Sequence, residues 1–210
     1  MTKKEFRNEF EKIIDEFEPV FLNRPWDRPE MYAGWLSQTY HFVKHSTRLL
    51  SIAAGRARLD QENFHKRFIA HVAEETNHEK LAENDLKNMG FSVGVESNEA
   101  RRFHRFQFDI LDVHGPAVFM GWILFLEGLA CKHGPTLLHK VKHYGEKSTT
   151  FLKLHSEEDQ EHIESALELV DSISESELEL VLENLVTARD NYQDILEYAE
   201  KACRAATLAS

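Results

Sequence analysis

Between Pro116 and Cys131 the chain puts apolar residues on every side of any helix it forms: Val118, Phe119, Met120, Trp122, Ile123, Leu124, Phe125, Leu126 and Leu129. The run falls short of the roughly 18 residues a membrane span requires, and Gly121, Glu127 and Gly128 interrupt it. A helix without a polar face is stable in water only when other elements cover it all round. Residues 116 to about 132 therefore predict a helix at the centre of the fold. Glu127 is the one charge in that run. A lone carboxylate in such surroundings costs several kcal/mol or gives up its charge, so it must meet a cation, a metal or a hydrogen-bond donor. A Lys or Arg would satisfy that demand as well as a metal would.

The surrounding segments also read as helices. The 210 residues include only 9 glycines and 5 prolines, none clustered into a linker, and long stretches are rich in Glu, Lys, Leu and Ala. An all-α fold in one domain, residues 1–210, is expected. Phe6, Phe10, Ile13, Ile14, Phe17 and Phe21 recur at three- and four-residue intervals and define a first helix over 4–22. Asp27 with Glu30 has capping-box spacing for a second, through Trp35, Tyr40, Phe42, Leu49 and Ile52 to Gly55. Asp60 can cap a third, with Leu59 and Phe64 as a hydrophobic staple, and this helix reads as unbroken to Gly90. A fourth covers about 98–112. Gly134-Pro135 is expected to interrupt the central fifth, which a short extension carries to Tyr144. The sixth follows Gly145 and ends near Val170, and Ser174 with Glu177 opens a seventh that reaches about 206.

A formal charge of −11 argues against nucleic acid as a partner, since phosphate binding needs a basic face. No run is long and apolar enough for a membrane, and the charged start MTKKEFRNEFEK lacks the apolar region of a signal peptide. A cytoplasmic location is the expectation, and a homodimer stays open. Cys131 and Cys203 are too few for a disulfide framework or a thiolate metal site.

Histidine stands out, with 12 residues, several at helical spacing. On the sixth helix, His155, Asp159 and His162 lie at i, i+4 and i+7, within roughly 60° of arc on one face. Two imidazoles and a carboxylate suit iron, manganese or zinc, whereas calcium and magnesium usually want oxygen ligands. On the third helix, Glu75-Thr-Asn-His78 has the Glu-x-x-His spacing of carboxylate-bridged di-iron bundles. With His71 four residues before Glu75, the third helix repeats the sixth: His71-x3-Glu75-x2-His78 beside His155-x3-Asp159-x2-His162. Exposed polar stripes would give the same letters. Against that, Ala70, Ala82 and Ala166 near these faces would let the helices approach closely.

Tyr144-Gly145, Thr150-Phe151, the His155-x3-Asp159-x2-His162 element, Glu75-x2-His78 and the lone Glu127 together resemble the haem-oxygenase-like di-iron oxidases and oxygenases. These are relatives of the TenA and PqqC proteins, often called iron-containing redox enzymes. The resemblance runs from about residue 30 to 172 and implies a seven-helix bundle without haem. It implies two Fe(II) ions, with O2 as co-substrate: one held by Glu75, His78 and His155, the other by Asp159 and His162, with Glu127 shared or nearby. The same six residues would be catalytic. His71 is left open as a seventh ligand, a neighbour of the ligands or a bystander; Glu74, Glu79 and Asp85 rank as lesser substitutes for Glu75. Three carboxylates against two Fe(II) leave a formal charge near +1, suited to an anionic substrate in a poorly hydrated interior.

The resemblance reaches the reaction type but not the substrate; a small apolar acid or amino acid is the expectation. Trp35, Tyr40, Phe42, Phe119 and Trp122 are candidate pocket walls, although each also serves as core, and Lys44, Arg48 or Arg102 could hold a carboxylate. Other classes remain in view. A TenA-like thiaminase or other hydrolase would use a cysteine nucleophile, with Cys131 the one near Glu127. A ferritin-like metal-binding protein would store iron without catalysis, and haem oxygenase proper would use His41 or His45 as axial ligand.

Overall fold

The computed structural model describes residues 1–208, apart from the side chains of 158–162 and 207–208, and its elements are helical throughout. Nine α-helices follow in order: α1 (Lys3–Leu22), α2 (Pro29–Val43), α3 (Ser46–Arg56), α4 (Glu62–Glu74), α5 (His78–Asn88), α6 (Asn98–Val113), α7 (Pro116–Val141), α8 (Thr150–Val170) and α9 (Glu175–Leu208). The apolar segment is α7, and it does lie at the centre: α8 and α9 run along it, α1 and α6 complete its cover, and Val118 to Phe125 are buried without exception. No helix among the described residues is long and apolar enough to cross a membrane.

The course of the chain follows the sequence reading, with local departures. The second helix breaks at Lys44–His45 into α2 and α3, and the third breaks at Glu75–Asn77 into α4 and α5, with Asn77 in the left-handed region at φ 73°. Asparagine tolerates that conformation better than most residues, so the break falls where a side chain permits it. Gly134-Pro135 does not interrupt α7. Proline 135 sits inside the helix, and Gly134 is pressed against α8, where an added Cβ would come within 3.0 Å of Ser156 Cβ. Two expected caps are also replaced. Pro29 at the first turn, rather than an Asp27 side chain, starts α2, and a 3-10 turn over Leu59–Gln61 leads into α4, leaving Leu59 exposed and no staple. Ser174 Oγ does donate to Glu177, 2.5 Å away.

The core is strongly aromatic. Phe17, Phe42, Phe103 and Phe125 surround the Tyr192 ring at centroid distances of 5.6–6.3 Å, mostly edge-on. Where polar groups are buried here, several are tied: Trp35 Nε1 donates to Tyr192 Oη (2.8 Å), and Gln107 and Asn184 exchange two side-chain hydrogen bonds of 3.0 Å. His133 Nε2 meets the Ile14 carbonyl at 2.9 Å and so joins α7 to α1. This packing fixes α4, α5, α7 and α8 around one end of a buried cavity.

Candidate metal centre

The break between α4 and α5 builds the site. On an unbroken helix Glu75 and His78 would share a face by spacing alone. Here Glu75 ends α4, His78 starts α5, and the turn between them leaves Glu75 Oε2 3.5 Å from His78 Nδ1. From across the bundle α8 brings in His155. One donor atom each from Glu75, His78 and His155 lies within 4.8 Å of the others. Donors sharing a metal at about 2.1 Å stand about 3 Å apart when adjacent and about 4.2 Å when opposite, so small side-chain shifts close this cluster on an ion.

The orientation of His155 fits that use. Its Nδ1–H donates to the Phe151 carbonyl at 2.8 Å, which leaves the Nε2 lone pair for a metal, the arrangement that commonly fixes ligating histidines. The start of α8 is held in turn by Asp85. The Thr150 hydroxyl donates to this buried carboxylate at 2.5 Å and the Phe151 N–H at 2.9 Å, so Asp85 anchors α8 instead of substituting for Glu75. Burial pushes the Asp85 carboxyl up against the opposing pull of those hydrogen bonds. Glu74 points to Arg67 at 3.0 Å, and neither it nor Glu79 joins the cluster.

Glu127 is one step away, and His71 makes the connection. His71 Nε2 lies 3.5 Å from Glu75 Oε1 and 3.4 Å from Glu127 Oε1, and Arg67 reaches Glu127 at 3.9 Å. His71 is thus no bystander. Burial would raise the Glu75 carboxyl, but His71, His78 and the nearby His155 outweigh it and hold Glu75 well below the usual carboxylate range. Asp159 and His162 lie outside the described side chains. Arg67 was missed in the sequence, although Arg67-x3-His71-x3-Glu75 is a regular helical stripe that could have revealed it.

Glu75 and His155 of the cluster, with His71 and Glu127, line a cavity of about 90 Å³. Of the expected walls, Trp35, Phe42 and Trp122 line it and Tyr40 and Phe119 do not; Thr39 and Tyr192, unforeseen, also line it. Lys44, Arg48 and Arg102 are elsewhere, and Arg102 is engaged by Asp194 and Asn191 at 2.5 and 2.8 Å. His41 and His45 also lie outside the cavity, which is too small for a haem. Cys131 is not among its walls, so no thiol faces the site as a TenA-type nucleophile would.

A second group, His45, Glu96 and His104, also gathers donor atoms within 4.8 Å. Its chemistry differs. The two imidazoles stack at 4.0 Å with planes 16° apart, so their in-plane lone pairs run side by side and cannot converge on one ion without ring rotation. Glu96 is already engaged by Arg101 and His104, both at 3.0 Å.

The sequence profile described as iron-containing redox enzyme matches residues 33–207. The chain belongs to this family. No curated protein sequence matches it. Solved structures of similar shape include a domain of unknown function with a heme oxygenase-like fold from Shewanella denitrificans, 17% identical (TM-score 0.85, covering 100% of this chain and 97% of that one). A TenA homolog from Pseudomonas syringae pv. tomato is 12% identical (TM-score 0.76, 92% of each chain). A CADD-like protein of unknown function from Nostoc punctiforme is 13% identical (TM-score 0.70, 97% and 96%). At these identities the likeness establishes the haem-oxygenase-like fold, and this member of the family shares it along its whole length.

Proposed function

We propose that this protein is a non-haem di-iron oxidase or oxygenase that uses O2 to oxidise a small organic molecule. The observation that carries the reading is the convergence of Glu75, His78 and His155, of which Glu75 and His155 line an apolar cavity. A mixed nitrogen and oxygen donor set suits iron. Glu75, His78 and His155 would hold one ion. Asp159 and His162 would hold the second by virtue of their motif, with Glu127 shared or nearby. Bound iron supplies the redox equivalents and open coordination positions that O2 chemistry needs.

The chain's own residues do the rest. Phe151 fixes the His155 ring through its carbonyl, and Asp85 fixes the helix turn that carries both. His71 Nε2, within 3.5 Å of Glu75 and Glu127, is placed to pass a proton between the two carboxylates. The walls of Trp35, Phe42, Leu126 and Phe151 keep bulk water from the reacting end and favour an apolar substrate. The absence of Cys131 from those walls weighs against the thiol-dependent hydrolase.

Anaerobic loading with Fe(II), metal analysis and visible spectroscopy on admitting O2 test the reading. Near two irons per chain and an O2-dependent absorption change are expected, and His155→Ala or Asp159→Ala should lose iron. Uptake unchanged in both variants would refute the assignment, and oxidation of many irons per chain would favour storage.

A further inference from the structure

The cavity lining carries two polar groups that the proposed chemistry does not use. Thr39 of α2 and Trp122 of α7 both line the cavity and are 1% and 3% exposed. Thr39 Oγ1 and Trp122 Nε1 have no hydrogen-bond partner among the described residues. Leaving a buried donor unsatisfied costs about 1–3 kcal/mol, and native proteins seldom carry two at one cavity without a use for them. A third donor is at hand. Tyr192 Oη accepts from Trp35 Nε1 at 2.8 Å, which leaves its own proton to give, and burial pushes that phenol's pKa up so that it stays protonated.

We infer that Trp122 Nε1 and Thr39 Oγ1 form a recognition subsite for a neutral hydrogen-bond acceptor, a carbonyl or hydroxyl oxygen, on a short apolar substrate. An indole N–H is a donor only, so whatever satisfies it must be an acceptor. The acceptor is neutral because no Lys or Arg lines the cavity, and a carboxylate held there by neutral donors alone would pay most of its desolvation cost. An anionic group, where the substrate has one, belongs at the metal end. Size follows from volume. An apolar cavity of about 150 Å³ takes benzene, about 25 Å³ per carbon, so the 90 Å³ here admits about four non-hydrogen atoms as it stands and about five with a small movement of its walls. This subsite deepens the proposed oxidase reading by naming its substrate class, yet it is defined by the chain alone and can be tested without iron.

The experiment compares two probes of similar shape, 2-butanone and 2-methyl-1-butene, on the full chain after chelation of metals. The Trp122 indole proton is followed by NMR and assigned through Trp122→Phe. The expected result is that butanone shifts this proton and binds about threefold to tenfold more tightly than the alkene, the span of one ordinary hydrogen bond. Thr39→Val, which removes the hydroxyl with little change of shape, and Trp122→Phe, which removes the indole donor together with part of the ring, should each reduce that preference and leave alkene binding in place. Equal binding of the two probes, no binding of butanone at tens of millimolar, or an unmoved indole proton would overturn the inference. Because iron loading is measured separately, failure of the subsite leaves the di-iron reading standing, and failure of iron binding leaves the subsite standing.

Discussion

Replacing Gly121 by alanine tests how closely α7 and α9 approach. Alanine in a helix interior is favoured over glycine by about 1 kcal/mol, so on propensity alone the variant gains stability. The surroundings reverse this. A Cβ at Gly121 would run into the Val181 carbonyl oxygen and lie 2.7 Å from the Leu185 nitrogen, both main-chain atoms of α9, and 3.0 Å from Asn184 Cβ. Restoring ordinary contact at about 3.5 Å requires the two helices to part by close to ~1 Å, and no side-chain rotation can provide it. Overpacking costs about 1–3 kcal/mol, and rigid main chain puts Gly121→Ala at the top of that range. The expected net loss is about 2 kcal/mol. Gly128 is the control. A Cβ there meets Phe10 Cζ at 2.8 Å and Ile14 Cδ1 at 3.2 Å, the ends of side chains that can give way. Relaxation and propensity then offset each other, and Gly128→Ala should lie within about 1 kcal/mol of wild type. Guanidinium denaturation followed by circular dichroism reads both. With a slope of about 5 kcal/mol per molar, the Gly121→Ala midpoint falls by about 0.4 M. A Gly121→Ala midpoint equal to wild type, or the two glycines behaving alike, would refute the close crossing.

Asn184→Leu removes the exchange with Gln107 and the bond to the Val118 carbonyl at 2.9 Å, and should cost about 2–4 kcal/mol; adding Gln107→Leu should recover part of it in a double-mutant cycle, and no recovery would uncouple the pair. Asp85→Ala takes away both acceptors at the start of α8 and should lower stability by about 1–2 kcal/mol and weaken iron binding by displacing His155; unaltered iron affinity would sever that link. Burial, with help from His104, Lys44 and Arg48, lowers the His45 pKa from 6.5 to about 4. The neutral ring is therefore the folded form, and between those pH values the unfolded chain binds more protons, so its contribution is complete above pH 6.5 and lost as pH falls toward 4. For a half-covered ring this amounts to about 1–2 kcal/mol, and His45→Phe, which keeps a ring but cannot titrate, should flatten the stability profile over that window; an unchanged slope would rule His45 out.

The helical fold was legible because hydrophobic periodicity survives any choice of tertiary partner. Phe6 to Phe21 had to form a one-sided helix, and an all-apolar segment had to be central. The breaks were not legible. Residues 71–78 carry an unbroken helical pattern, and only Asn77, able to adopt positive φ, marks the turn that brings Glu75 and His78 together. Spacing selected a pair that does meet, but for an incomplete reason: the side chains come together at a helix junction, not along one face. Gly134-Pro135 misled in the opposite direction. Proline inside a helix loses one hydrogen bond, and the packing of Gly134 on Ser156 accompanies an α7 that continues through it. Cavity walls were the least legible, because Tyr40 and Phe42 differ in nothing but the face they occupy once α2 has docked.

Glu127, the lone charge of the central helix, is compensated from outside that helix. Its neighbours are Arg67 and His71, four residues apart on α4, and the next residue in the same stripe is Glu75. One helix face therefore delivers a permanent cation, an imidazole and a second carboxylate to the buried one. Two carboxylates that both lie within 3.5 Å of one imidazole nitrogen repel each other, so they persist together only where a donor or a positive charge lies within reach of both. His71 Nε2 stands between them. A divalent ion held by Glu75 would add positive charge to the same group, beside the Arg67 guanidinium and the His71 ring. An apolar central helix can keep a glutamate under those conditions, because the charge is answered by the stripe on α4 whether or not metal is bound.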